Sequence, residues 1–207
     1  MFVSSSVDME AESVPEEDQL IEQSRQRALR LGMVLLKNYI THSEQMRKYQ
    51  KQRRIDRSIP PHIPYGFHQL VDRAMKDSYA LIRRDFGIFN AEEILPSMSP
   101  DICIVNFYTE SGRLGLHQDR DESAESLTKG LPVVSFSAGD SVEFLYGDQR
   151  DANKAEKVVL ESGDVLIFRG KSRHVFHGVA SIISNSAPRM LLEETLLRPG
   201  RLNLTFR

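Results

Sequence analysis

The order of apolar and polar positions divides the chain into three stretches. Residues 1–19 (MFVSSSVDMEAESVPEEDQ) are rich in Ser and acidic residues without a sustained apolar period. They bury too little to offset their ordering entropy, and the expectation is a disordered acidic extension. Residues 20–100 read as a supporting strand-and-helix region. Within it, the run 32–40 predicts a strand, and Thr41-His42-Ser43-Glu44 has the Thr-x-x-Glu form of a capping box that starts a helix. Pro60, Pro61 and Pro64 then break the chain. Beyond them Phe67, Leu70, Val71, Ala74, Ser78 and Leu81 recur at helical spacing and mark one face of a helix that packs on a sheet. From 101 to 207 the pattern changes to short runs rich in Val, Ile, Phe and Tyr: 102–108, 114–119, 132–137, 141–146, 157–160, 164–169, 175–179, 189–194 and 201–206. Gly139-Asp140, Gly147-Asp148 and Gly163-Asp164 supply turns between several of these strands. Many short strands after N-terminal helices predict an α+β fold, a double-stranded β-helix or jelly roll flanked by those helices.

Composition narrows the function classes. The 207 residues suffice for one domain with a sizeable core. Lys and Arg number 27 against 29 Asp and Glu, so any nucleic-acid surface is local rather than global. The one basic cluster is Arg47, Lys48, Lys51, Arg53, Arg54 and Arg57 on the helix opened by the capping box. It reads either as a solvated helix face or as a set of phosphate contacts. Cys103 is the single cysteine, which rules out an intramolecular disulfide and a cysteine zinc site and fits a reducing compartment. No apolar run approaches the ~20 residues that span a bilayer, and no membrane role is expected. Asp8, Glu10 and Glu12 stand where a transit peptide is basic, leaving nucleus or cytoplasm as the expected location, with an organelle still open.

Candidate chemistry sits on the strands. His117 and Asp119 are two residues apart in the run 114–119, and side chains at i and i+2 of a strand share a face, so both can reach one metal ion. His177 and His174 in the run Ser172-Arg173-His174-Val175-Phe176-His177-Gly178 both offer a third ligand. Two imidazoles and one carboxylate form the facial triad that leaves three positions open on iron for O₂ chemistry. In the last strand Arg201, Asn203, Thr205 and Arg207 alternate with Leu202, Leu204 and Phe206. One arrangement turns the arginines into the barrel toward an anionic ligand; the other leaves them outside on an edge strand.

These residues together resemble the AlkB family of Fe(II)- and 2-oxoglutarate-dependent dioxygenases. The resemblance is carried by Asn106-Phe107-Tyr108, Leu114-Gly115-Leu116-His117-Gln118-Asp119-Arg120-Asp121-Glu122, Pro132-Val133-Val134-Ser135-Phe136-Ser137, Gly163-Asp164-Val165, Ser172-Arg173, Phe176-His177-Gly178 and the terminal Arg-x-Asn-x-Thr-Phe-Arg, in that order. It implies a jelly-roll catalytic core over 101–207 in which His117, Asp119 and His177 bind Fe(II). His174 aligns with an apolar position of the family. Arg201, aided by Tyr108 and Asn106, would hold the distal carboxylate of 2-oxoglutarate. Asn203 and Arg207 would lie near the end that chelates iron, with Leu114 and Ser135 in the same co-substrate pocket, and Asp121 would touch the substrate base. The implied reaction is oxidative N-demethylation of a methylated nucleobase, with methylated adenine in RNA or DNA the leading substrate. O₂ and 2-oxoglutarate are consumed, and succinate, CO₂ and formaldehyde are released, as in DNA repair and RNA modification. The implied partner is methylated nucleic acid, chiefly single-stranded.

The family also carries a nucleotide-recognition lid with aromatics that sandwich the base. Here only 46–57 separates the capping box from Ser58-Ile59-Pro60-Pro61; Tyr49 is its one aromatic, and the chain has no Trp. A shortened lid predicts weak base capture, since stacking is worth ~1–3 kcal/mol per base. Two other functions remain open on the sequence: a jelly-roll module that binds nucleic acid or protein with little or no catalysis, and a 2-oxoglutarate oxygenase of protein side chains. Oligomeric state is left open.

Overall fold

The computed structural model describes residues 26–45, 62–119, 128–169 and 174–207. The acidic extension, the basic cluster and Asp121 lie outside the described residues. Two antiparallel sheets are stacked. The larger contains β1 (Arg27–Arg30), β2 (Met33–Leu36), β3 (Cys103–Tyr108), β5 (Val133–Gly139), β8 (Val165–Phe168) and β10 (Arg201–Phe206), in the order β1-β2-β8-β5-β10-β3. The smaller contains β4 (Leu114–His117), β6 (Ser141–Gly147), β7 (Glu156–Leu160) and β9 (Phe176–Ile183), in the order β4-β9-β6-β7. The expected jelly roll is thus the architecture observed.

Strand periodicity explains how the large sheet serves two cores. Val34, Leu36, Val134, Phe136, Val165, Ile167, Leu202, Leu204 and Phe206 face the helical layer. Their alternates Met33, Leu35, Val133, Leu166 and Phe168 face the small sheet, where they meet Phe144, Tyr146, Leu160, Val179 and Ile182. The helical layer is mainly α2 (Tyr65–Phe86), and every position chosen for its apolar face is buried. This helix ends at Gly87, whose φ of 65° lets its N–H reach the Arg83 carbonyl at 3.0 Å. The capping box starts α1 (His42–Gln45): the Thr41 N–H donates to Glu44 Oε2 at 2.9 Å, and the Glu44 N–H donates back to Thr41 Oγ1 at 3.4 Å.

Asp164 ties the layers together. Its buried carboxylate accepts Lys37 Nζ at 2.6 Å and the backbone N–H groups of Asn38 and Glu161 at 2.9 and 2.7 Å. Burial pushes this carboxyl above its ordinary range, against the two amides and Lys37.

Two expectations need correction, and two short elements went unpredicted. The run 189–194 is not a strand but part of α4 (Arg189–Thr195). The strand expected over 32–40 is confined to β2, because the chain turns at Asn38 with φ 49°. The hairpin partner β1 and the short α3 (Ala91–Ile94) were not foreseen from the pattern. Among the described residues no helix is long and apolar enough to cross a membrane.

Candidate metal centre and co-substrate pocket

β4 and β9 are neighbours in the small sheet, and their register sets His117 directly opposite His177. Cross-strand partners are close enough for their side chains to touch, and the two imidazole centroids are 4.5 Å apart. The third member departs from the sequence expectation. β4 ends at His117, and Asp119 lies just beyond it rather than in the strand. Asp119 Oδ1 nonetheless approaches His117 Nε2 at 3.6 Å and His177 Nε2 at 3.7 Å. The three potential ligand atoms all lie within 4.8 Å of one another.

Each imidazole is held by its other nitrogen. His117 Nδ1 lies 3.0 Å from the Gly115 carbonyl and His177 Nδ1 3.2 Å from the Val175 carbonyl. A carbonyl only accepts, so both Nδ1 atoms carry the proton and both Nε2 lone pairs point to the shared centre. Burial pushes the His177 imidazole below its ordinary pKa, with Asp119 opposing, and the neutral ring is the form that coordinates. Phe168 and Phe144 flank it at 5.0 and 6.0 Å. Metal–ligand bonds of ~2.1 Å set adjacent ligand atoms about 3 Å apart. The two carboxylate–imidazole separations, 3.6 and 3.7 Å, are wider by a few tenths of an ångström, and with all three atoms within 4.8 Å the donor set fits one divalent ion after a small closure. His174, the rival ligand, is exposed, and its backbone carbonyl accepts from Gln118 Nε2.

Gly178 makes this closeness possible. A Cβ at that position would stand 2.4 Å from the Leu114 carbonyl and 3.1 Å from the Gly115 carbonyl. Gly178→Ala therefore has to push β4 from β9, a strain of ~1–3 kcal/mol by analogy with overpacked cores. The expected result is Mn(II) affinity lower by about one decade with the far-UV spectrum retained. Titration calorimetry of the variant checks it.

β10 supplies the other half of the site. Leu202, Leu204 and Phe206 enter the helix-side core, whereas Arg201, Asn203, Thr205 and Arg207 line a cavity of about 110 Å³ between the sheets. The arginines are therefore inside the barrel, and the outward-edge alternative fails. Arg201 is only 2% exposed; its Nη2 donates to Ser137 Oγ at 2.9 Å, while Nε and Nη1 are buried without a hydrogen-bond partner. Burial pushes the guanidinium down to about 10, so it remains cationic at neutral pH. A buried cation with open donors calls for an anion, and a planar fork matches a carboxylate.

The β10 register with β3 sets Tyr108 opposite Arg201 and Asn106 opposite Asn203. Burial raises the Tyr108 phenol, with Arg201 opposing, so it stays a neutral donor. Asn203 Nδ2 donates to Ser135 Oγ at 2.6 Å, and Thr205 Oγ1 donates to Asn203 Oδ1 at 3.0 Å.

Leu114, Ser135, Asn106, Tyr108, Arg201, Asn203 and Arg207 border this one cavity together with His117, Asp119 and His177. Sequence reasoning passed over Ser137, which holds Arg201, and placed Thr205 on the inner face without giving it a role, though its hydroxyl donates to Asn203. Ser137 was accessible from strand period, since it shares the face of Ser135. It also passed over the apolar walls Phe144, Leu160, Leu166, Phe168 and Val179.

A partly buried His-Asp-His cluster facing a cationic carboxylate receptor inside a jelly roll defines a class, and the comparisons agree with it. The chain belongs to the 2OG-Fe(II) oxygenase superfamily, whose profile matches residues 8–207. Members of this superfamily use Fe(II), 2-oxoglutarate and O₂. Within it the chain is AlkB-like. It is 65% identical over 160 residues to the DNA N(6)-methyladenine demethylase ALKBH1D of Arabidopsis thaliana, covering 77% of this chain and 36% of that protein. It is 37% identical over 137 residues to the tRNA demethylase abh1 of Schizosaccharomyces pombe, covering 66% of this chain and 39% of that protein. The solved structure of OsALKBH1 superposes with a TM-score of 0.79 at 47% identity, covering 87% of this chain and 100% of that one. The chain thus spans about a third of the length of the Arabidopsis relative, at 36%.

Proposed function

We propose that this chain is an Fe(II)- and 2-oxoglutarate-dependent N-demethylase of methylated nucleobases, with N6-methyladenine favoured by similarity to the Arabidopsis relative. One observation carries the reading: a His-Asp-His donor set lines the same cavity as a buried Arg201 that has two nitrogens without a hydrogen-bond partner. His117, Asp119 and His177 hold the metal. Arg201, Tyr108 and Asn106 take the distal carboxylate of 2-oxoglutarate, and Asn203, Ser135, Leu114 and Arg207 complete its pocket. When bound, iron with 2-oxoglutarate and O₂ supplies the oxidant that hydroxylates an N-methyl group; the resulting hemiaminal sheds formaldehyde. The chain's part is to orient the co-substrate, to fix the ligand tautomers and to exclude water with Phe144, Phe168, Leu160 and Val179. Asp121 is proposed as the substrate contact, and the cluster at 47–57 as the phosphate contact.

The test is mass spectrometry of N-methylated oligonucleotides incubated with Fe(II), 2-oxoglutarate and ascorbate. The expected result is loss of one methyl group per succinate formed, with single strands preferred over duplex, because extruding a paired base costs a few kcal/mol. Salt is expected to weaken the reaction, as phosphate contacts release counterions. Succinate formation with no demethylated base from any oligonucleotide would remove the demethylase assignment while leaving the oxygenase centre.

A further inference from the structure

We infer that two copies of this chain associate through the free edge of β3, strand to strand and antiparallel, with Val105 facing its own copy across a twofold axis. The inference stands apart from the metal centre and rests on what each sheet edge presents.

Among the described residues the two sheets have four edge strands, and three of them are protected. β1 carries Arg27 and Arg30, and Arg30 is tied to Asp148 and Glu156 at 2.7 and 2.6 Å. β7 begins with Glu156 and Lys157. β4 has four residues, and its register breaks between Leu114 and His117. Charges, short length and irregular register are the devices that keep an edge from pairing with another chain. β3 has none of them. Its six residues, Cys103-Ile104-Val105-Asn106-Phe107-Tyr108, carry no charge, proline or glycine and pair with β10 without a break. Val105 is 55% exposed and Ile104 37%, with exposed Ile102 just ahead of them.

The backbone decides which groups the edge offers. Ile102 exchanges both hydrogen bonds with Arg207, at 3.1 and 3.2 Å. Such pairs alternate along an antiparallel ladder, so Ile104, Asn106 and Tyr108 turn their N–H and C=O groups to β10. Cys103, Val105 and Phe107 turn theirs outward, where no further strand lies among the described residues. A second β3 satisfies the outward groups of all three residues in one register only: Val105 opposite Val105, and Cys103 opposite Phe107.

Charge favours a second copy as the occupant. The exposed Arg198 lies over the Phe107 ring at 4.6 Å. The exposed Asp101 stands two residues before Cys103, on the face that Phe107 shares. Setting Cys103 of one copy opposite Phe107 of the other brings Asp101 diagonally to the second copy's Arg198, and the twofold axis repeats the pair. A strand of another protein meets the same bare edge without this reciprocal pattern.

The experiment is sedimentation velocity of the full chain over about 1–100 µM, the range in which small interfaces associate. Wild type is expected to pass from monomer to dimer as concentration rises. Val105→Lys sets two ammonium groups at the twofold axis and is expected to weaken association by about tenfold or more, with the far-UV spectrum unchanged. Asp101→Arg and Arg198→Asp are each expected to weaken it about fivefold, since symmetry doubles the loss of one exposed pair. The double variant, Asp101→Arg with Arg198→Asp, recovers the wild-type association. Wild type that stays monomeric throughout overturns the inference and leaves the edge to a different chain. Val105→Lys protein that dimerises as wild type does overturns it by placing the contact elsewhere. A double variant no better than either single one overturns it as well, because the two charges then do not meet.

Discussion

His177→Ala is expected to abolish both divalent-metal binding and 2-oxoglutarate turnover, whereas His174→Ala leaves the protein metal-bound and active. The contrast follows from where the two side chains lie. His177 is buried between Phe144 and Phe168 with its Nε2 3.7 Å from Asp119 Oδ1, while His174 is exposed and joined to the site only through its backbone carbonyl. A facial triad has no spare ligand, so losing one of three protein donors leaves the ion two, and His117→Ala or Asp119→Ala is expected to have the same effect. Truncating a buried ring also opens a cavity, which by itself costs a few kcal/mol. His177→Gln keeps most of the volume and separates ligand loss from unfolding. Metal content after gel filtration and succinate formation are the measurements. Retained metal in His177→Ala together with loss in His174→Ala would reverse the assignment.

What the sequence made legible was strongest where two periodicities coincide. In β10 the two-residue alternation of Leu202, Leu204 and Phe206 with Arg201, Asn203, Thr205 and Arg207 separates core from cavity correctly, because both faces are buried and neither can slip. α2 was equally legible, since its apolar stripe packs on one sheet. The run 189–194 misled because Met190-Leu191-Leu192 looks like a strand when only hydrophobicity is counted. Its residues are helix formers without β-branching, it follows Pro188, and Arg189 and Glu193 pair at 2.7 Å one turn apart. Only Leu191 of this helix is buried. β1 carried no signal of its own: Arg27-Ala28-Leu29-Arg30 becomes a strand because β2 offers it an edge. Asp119 shows a different limit. The i, i+2 argument brought Asp119 to the histidines for an incomplete reason, as the strand ends before it and tertiary contacts carry its carboxylate to them.

Arg201→Met is expected to raise or preserve the stability of the ligand-free protein while removing the stabilisation conferred by 2-oxoglutarate. Arg201 is buried with one hydrogen bond, to Ser137, and two nitrogens without a partner. Holding an incompletely paired cation there is costly, and a well-packed apolar side chain of similar length relieves that cost. The same open donors are what a carboxylate completes. Losing a charge-assisted contact in a buried site costs ~1.5–3 kcal/mol, roughly one to two decades of affinity. At a ligand concentration 100 times the wild-type dissociation constant, linkage adds ~2.7 kcal/mol to wild-type stability. For a variant weakened by two decades that concentration only equals its dissociation constant, and the gain falls to about 0.4 kcal/mol. Arg201→Lys is expected to recover little, since an ammonium on a flexible stem does not reproduce the planar fork. Thermal melts of the Mn(II)-loaded proteins with and without 2-oxoglutarate read both effects at once. A variant that is less stable without the co-substrate and gains as much from it as wild type would mean that Arg201 holds the sheets together and leaves the dicarboxylate to Asn203 and Arg207.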